Sequence, residues 1–143
     1  MQVHIKTIHD SSAAVGWTGP RTVVIDRTSR EGGQGIGFSG GELLLMAIGA
    51  SICNDLFKHA DTFEIVLDEV EVIVNGDWSG DPLCARNVRY DVKLRSDAPR
   101  ERLESLVKYT HQQADVPHTL RTGTNVRLND YDFVKLDPTG KKD

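Results

Sequence analysis

Near the N-terminus residues 3–8 alternate between apolar and polar, and two further short runs, residues 13–16 and 22–26, are mostly apolar. A period of two puts successive side chains on opposite faces of a strand, and all three stretches are predicted to be strands. His9-Asp10-Ser11-Ser12 and Thr18-Gly19-Pro20 separate them. Residues of these types close tight turns, and the three strands are expected to form a meander. A glycine-rich stretch follows, Arg30-Glu31-Gly32-Gly33-Gln34-Gly35-Ile36-Gly37. It lacks the Gly-Lys-Ser/Thr of a phosphate-binding loop and the spacing of a dinucleotide fingerprint, and is read as a connector.

At Ser39 the pattern changes. Ser39 and Glu42 have the Ser-x-x-Glu spacing of a capping box, and Phe38 and Leu43 stand at the positions of a hydrophobic staple. They predict a helix over residues 40–59. From Leu43 to Cys53 its residues are apolar or small on every face, since Leu43, Leu44, Leu45 and Met46 already complete one turn. A helix that is apolar all round must be covered all round. A chain of 143 residues has little material for that, so sheet from a second copy is expected to help, in an intimate homodimer.

Further along, Val70, Val72 and Val74 alternate with Glu69, Glu71 and Ile73, and Val88, Tyr90, Val92 and Leu94 alternate with Arg89, Asp91, Lys93 and Arg95. Both read as half-buried strands, and the turn-forming residues 75–82 between them predict an antiparallel hairpin. A second helix is expected after Asp97, with Pro99 in its first turn and Leu103, Leu106, Val107 and Thr110 on one stripe, ending before Pro117. Residues 125–134 are expected to close the domain as a strand, and residues 137–143 to form a frayed tail. Strands, buried helix, hairpin, amphipathic helix and strand make one α+β domain over residues 1–143, without internal repeats.

Composition narrows the function classes. Hydrophobic residues at 38% and charged residues at 27% are globular values, which exclude a disordered or fibrous chain. A net charge of −4 with no basic stripe argues against nucleic-acid binding, which needs clustered Lys and Arg. The N-terminus has no signal-peptide pattern, and the apolar run from Leu43 to Ala50 is well short of the roughly 20 residues of a membrane span. A cytoplasmic protein without a membrane partner is expected. Cys53 and Cys84 are too few for a disulfide scaffold, and no Cys/His spacing suggests zinc. Neither a metal nor a cofactor is expected.

Gly32-Gly33 and the run Phe38-Ser39-Gly40-Gly41-Glu42-Leu43-Leu44-Leu45-Met46-Ala47-Ile48-Gly49-Ala50 resemble the signature of the OsmC/Ohr family, the osmotically inducible and organic hydroperoxide resistance proteins. That signature reads roughly Gly-Gly, a short gap, Ser/Asn-Pro-x-Glu-Leu-Leu, then Gly/Ala-Ala-Cys. A later helix carries Cys-Pro-Val, and His118-Thr119-Leu120 with Thr124-Asn125-Val126 resemble the residues after it. The resemblance implies antiparallel sheets wrapped around a buried central helix in an intertwined homodimer. It also implies thiol peroxidase chemistry: a thiolate on the central helix attacks a hydroperoxide, and the second Cys resolves the sulfenic acid as a disulfide.

Several parts of that site are changed here. Aligned on Gly41-Glu42-Leu43-Leu44-Leu45, the first family Cys corresponds to Ser51, and the second to Ala114, or to Asp115 after a one-residue shift. Gly40 replaces the Pro of the capping turn, and Gly41 stands where some members carry a Glu. Arg21, Arg27 and Arg30 are candidates for the family's thiolate-stabilising Arg. Glu42, Ala114, Asp115 and His118 are candidate pocket residues, and His111 could join them. Cys53 lies two residues, about 200° of helix, beyond Ser51 and should face elsewhere. It is read as a small hydrophobe, and Cys84 as structural or incidental. Ser51 is expected to bond its own helix backbone. Asp55 and His59 follow it on the same face, but a row along one helix does not converge on a hydroxyl, and they are read as a solvated helix end.

The favoured function is an OsmC/Ohr-like stress protein without two-cysteine peroxidase activity that keeps an intersubunit pocket for a small apolar, acidic or peroxide-like ligand. The alternatives are a one-cysteine peroxidase using Cys53 with an external thiol, and a non-redox enzyme using Ser51.

Overall fold

The computed structural model describes residues 1–134. The N-terminal meander is present as β1 (His4–Thr7), β2 (Ala14–Thr18) and β3 (Arg21–Ile25), antiparallel and in that order. The register pairs His4 with Trp17 and Ala14 with Ile25. A short parallel bridge from Ile25 to Phe38 leads the chain from this sheet into the first helix.

That helix, α1, spans Gly40–Ala60 and begins as its sequence dictates. The Ser39 hydroxyl accepts the Glu42 N–H at 3.3 Å, and the Glu42 carboxylate accepts the Ser39 N–H at 2.7 Å. Two amides with no partner inside the helix are thereby satisfied. Ile48, Ile52, Asp55, Leu56 and Ala60 form its buried stripe. Part of the remaining surface is left open by its own chain: Met46 and Phe57 are each 47% exposed.

The hairpin is β4 (Glu69–Ser79) with β5 (Cys84–Arg95), a separate two-stranded antiparallel sheet. Val72 faces Val92 and Val74 faces Tyr90 across it, and the register shifts between Asn75 and Asp77. The alternation works as predicted, with Val70, Val72 and Val74 half-buried and Glu69 and Glu71 exposed. Two glycines let α1 lie close to this sheet. A Cβ at Gly41 would sit 2.8 Å from a ring carbon of Trp78, and one at Gly49 would sit 3.2 Å from a Val74 methyl.

α2 (Arg100–Gln113) buries Leu106 and Thr110 against α1. It ends before Pro117 as expected, but a further helix, α3 (Asp115–Thr122), follows at once. Ala114 alone leaves the helical conformation, at φ −60° and ψ 122°. Pro117 falls in the first turn of α3, where the amide it lacks would have no partner within the helix. Ile52, Leu56, Ala60, Ile65, Leu106 and Ala114 form the core, with Val70, Val72, Tyr90, Val92 and Leu94 of the hairpin packed on it.

The expected closing strand is not formed: residues 125–134 are assigned to no strand. Their side chains stand in solvent, with Leu128 80% and Phe133 82% exposed. A strand exists only through hydrogen bonds to a neighbour, and no sheet edge of the single chain pairs with this segment. The expected tail, residues 137–143, lies outside the described residues.

Candidate functional site

The break between α2 and α3 brings together the positions that the family resemblance singles out. Ala114 is fully buried at the break. Two residues on, the Val116 N–H, one of the free amides at the start of α3, points at α1 and donates to the Ser51 hydroxyl at 3.4 Å. The expected bond from Ser51 to its own helix is therefore replaced by a contact between helices. No sulfur stands at either position, and among the described residues the Ser51 hydroxyl has no basic partner.

One turn beyond Ser51 the expectation of a solvated helix end fails. Asp55 is only 7% exposed, and one carboxylate oxygen, Oδ2, is buried without a hydrogen-bond partner among the described residues. Among the described residues its other oxygen has only Lys58 Nζ, at 4.0 Å. His59 is half-buried, with Nδ1 at 3.3 Å from the fully buried Thr110 hydroxyl and its ring edge-on to Tyr109. α2 covers this part of α1, and the local sequence pattern of α1 carries no signal of that.

Two grooves flank α1. One, of about 580 Å³, lies over Val72 and Val74 and is lined on the helix by Leu45, Met46, Gly49, Ala50 and Cys53. Cys53 thus opens onto a different face from Ser51. The other, of about 840 Å³, runs between β5 and the helices. Leu44, Ile48, Val107, Pro117 and Leu120 give it an apolar floor, and Arg86, Arg89, Lys108, His111 and Arg121 also line it. In its wall the Tyr90 hydroxyl lies 2.6 Å from His111 Nδ1, and Arg121 donates to the His111 carbonyl at 2.9 Å. Burial pushes the Tyr90 pKa above its ordinary value, against the smaller opposing effect of the Arg121 charge. Sequence reasoning named His111 but missed this cluster, because its members come from β5, α2 and α3.

The other candidates lie apart. Arg21 is exposed on β3 and Arg30 in a single 3-10 turn, Ser29–Glu31. Neither side chain, nor that of Arg27, makes an ion pair or hydrogen bond among the described residues. Glu42 is held in the capping box. Asp115 and His118 are exposed on α3, and Cys84 is exposed in β5. No group of three His, Cys, Asp or Glu residues could hold a metal among the described residues.

The connector before α1 is organised by one carboxylate. Asp26 is buried and accepts the N–H groups of Arg27 at 2.8 Å, Gln34 at 2.9 Å and Ile36 at 3.2 Å. Burial raises its pKa, but the backbone donors Ile36, Gln34, Arg27 and Gly35 together outweigh that and hold it below the usual carboxylate value.

Residues 32–129 match the family described as OsmC-like protein. The chain belongs to the OsmC-like family. The OsmC-like fold is equally plain in the solved structures similar to it. An OsmC-like protein from Mycoplasma pneumoniae has a TM-score of 0.74 at 15% identity, over 84% of this chain and 86% of that one. An organic hydroperoxide resistance protein OsmC from Legionella pneumophila has a TM-score of 0.61 at 14% identity, over 85% and 90%. An OsmC-like hydroperoxide resistance protein from Jannaschia sp. has a TM-score of 0.54 at 13% identity, over 92% and 93%. At these identities the likeness shows the fold alone. No curated protein matches the chain.

Proposed function

We propose that this OsmC-like chain is a stress-response protein, related to the organic hydroperoxide reductases, that does not carry out two-cysteine peroxide reduction and keeps a ligand groove beside α1. The observation that carries the reading is the bond from the Val116 N–H to the Ser51 hydroxyl, two residues past the buried Ala114. The resemblance puts the two sulfurs of the family chemistry at positions 51 and 114, which here are serine and alanine. A serine hydroxyl can neither form a sulfenic acid nor be resolved as a disulfide.

The working form is a cytoplasmic homodimer. Gly40–Phe63 is long and apolar enough to cross a membrane, and only 22% of its most apolar window is buried. We read it as the core helix of a dimer because its Ile52–Leu56–Ala60 stripe already packs in a protein core, and because the uncovered apolar segment 125–134 lacks a strand partner. A second copy meets both needs.

The test is consumption of cumene hydroperoxide with a dithiol reductant. The wild-type chain is expected to show no turnover above that of a Cys53→Ser, Cys84→Ser variant, and Ser51→Cys combined with Ala114→Cys is expected to gain turnover. Wild-type turnover at thiol-peroxidase rates would overturn the reading; its loss in Cys53→Ser would assign the activity to Cys53, and its loss in Ser51→Ala to Ser51.

A further inference from the structure

One imidazole ties α2, α3 and β5 together. His111 stands in the last turn of α2. Its Nδ1 lies 2.6 Å from the Tyr90 hydroxyl of β5 and 3.4 Å from Arg121 Nη2 of α3, and the same Nη2 donates to the His111 carbonyl at 2.9 Å. A guanidinium can only donate, so this arrangement assigns the ring proton to Nε2 and leaves Nδ1 to accept. The charges around the ring are mostly of one sign. Arg86, Arg89 and Asp91 of β5 and Lys108 of α2 line the same wall, Arg121 comes from α3, and α1 brings only the uncharged Leu44 and Ile48. Among the described residues His9 is the one histidine with a carboxylate within 4.0 Å, so a protonated His111 has no counter-ion beside it there.

α3 needs such a tie. It has 8 residues, fewer than the roughly 12–15 at which a helix holds by itself in water, and no side chain caps its start. Its anchors are the buried Pro117, the Val116–Ser51 bond at 3.4 Å and Arg121 on His111. We propose that His111 is a pH-sensitive latch, which holds Arg121 and α3 in place when neutral and loosens α3 when protonated. A proton added at Nδ1 turns the acceptor into a donor, and sets N–H against N–H and cation against cation at 3.4 Å. Tyr90 can follow that change, because a hydroxyl accepts as well as donates; Arg121 cannot. The closed form is the neutral one, so it is favoured above the histidine range and lost as pH falls through it. Pro117, Leu120 and Arg121 belong to the groove wall and Val116 holds Ser51, so the latch governs access to both. It concerns α3 itself and holds whether or not the groove takes a ligand.

Millisecond hydrogen exchange on the full chain, corrected for the intrinsic pH dependence of exchange, tests it between about pH 8 and about pH 5.5, where histidine is the side chain that changes charge. Protection at residues 118–122 is expected to fall by about twofold to fivefold on acidification, as suits a solvent-screened pair, while that of Leu106 in α2 holds. His111→Gln and, on the other side of the contact, Arg121→Gln are each expected to remove the pH dependence, the second with lower protection at both pH values. His118→Gln, on α3 itself, is expected to keep it. Unchanged protection in the wild-type chain overturns the proposal. So does a dependence that survives in His111→Gln or Arg121→Gln, or one that disappears in His118→Gln.

Discussion

Replacing Asp55 with alanine is expected to stabilise the protein, although most substitutions of buried residues do the opposite. A buried acceptor without a hydrogen-bond partner costs about 1–3 kcal/mol, and more when charged. Asp55 Oδ2 is such an atom. Alanine also has the better helix propensity, by about 0.5 kcal/mol. Against this stand the pair with Lys58, at 4.0 Å and with an exposed partner, worth at most about 0.5 kcal/mol, and a small cavity costing about 0.5–1 kcal/mol. The balance is a gain of about 1 kcal/mol. Urea unfolding at fixed protein concentration would show it as a midpoint raised by about 0.5 M with an unchanged slope. A midpoint lowered by a similar amount would refute the reasoning, because it would mean that the carboxylate has a partner that the single chain does not supply. A group that weakens the fold and lies one turn from Ser51 marks this face of α1 as one where stability is not the only requirement.

Asp26 carries a pH dependence of definite sign. Its folded pKa is depressed, so its contribution is complete above the ordinary aspartate value of about 3.9 and is lost as pH falls through the lower, folded value. Hydrogen exchange at Gln34 and Ile36 should accelerate in that acid window, before global unfolding; amides equally protected on both sides of it would contradict the assignment. Leu106 is fully buried in the core, and Leu106→Ala should cost about 2–5 kcal/mol in chemical denaturation. A loss below 1 kcal/mol would mean that α2 is not docked on α1 as described.

The parts of the fold that were legible in sequence are those set by neighbours along the chain. Ser39 and Glu42 fixed the start of α1 because a capping box involves only four consecutive residues. Val70, Val72 and Val74 of β4 and Tyr90, Val92 and Leu94 of β5 declared their buried face by alternation, whereas Val88, expected with them, is exposed. α3 was missed because Pro117 reads locally as a stop, and only the single extended residue Ala114 turns that stop into a new start. The strand expected at residues 125–134 failed for a different reason: its pattern gives β propensity, but pairing needs an edge that the single chain does not place beside it. The site shows the same division. Ser51 and Ala114 could be located by alignment to a motif. The burial of Asp55, the His59–Thr110 contact and the Tyr90–His111–Arg121 cluster depend on packing between elements distant in sequence, and no local period reports it.

The Asp26 carboxylate has a consequence for how the connector can drift over evolutionary time. It reads Gln34 and Ile36 only through their backbone N–H groups, and every residue except proline offers the same group. Side-chain identity at these two exposed positions is therefore free to change without disturbing the entry into α1, while position 26 is not. A deep mutational scan should find residues 34 and 36 permissive to everything but proline, beside an intolerant aspartate eight and ten residues upstream. The loop keeps its shape by composition of the main chain, and so can change its chemical surface without changing its course.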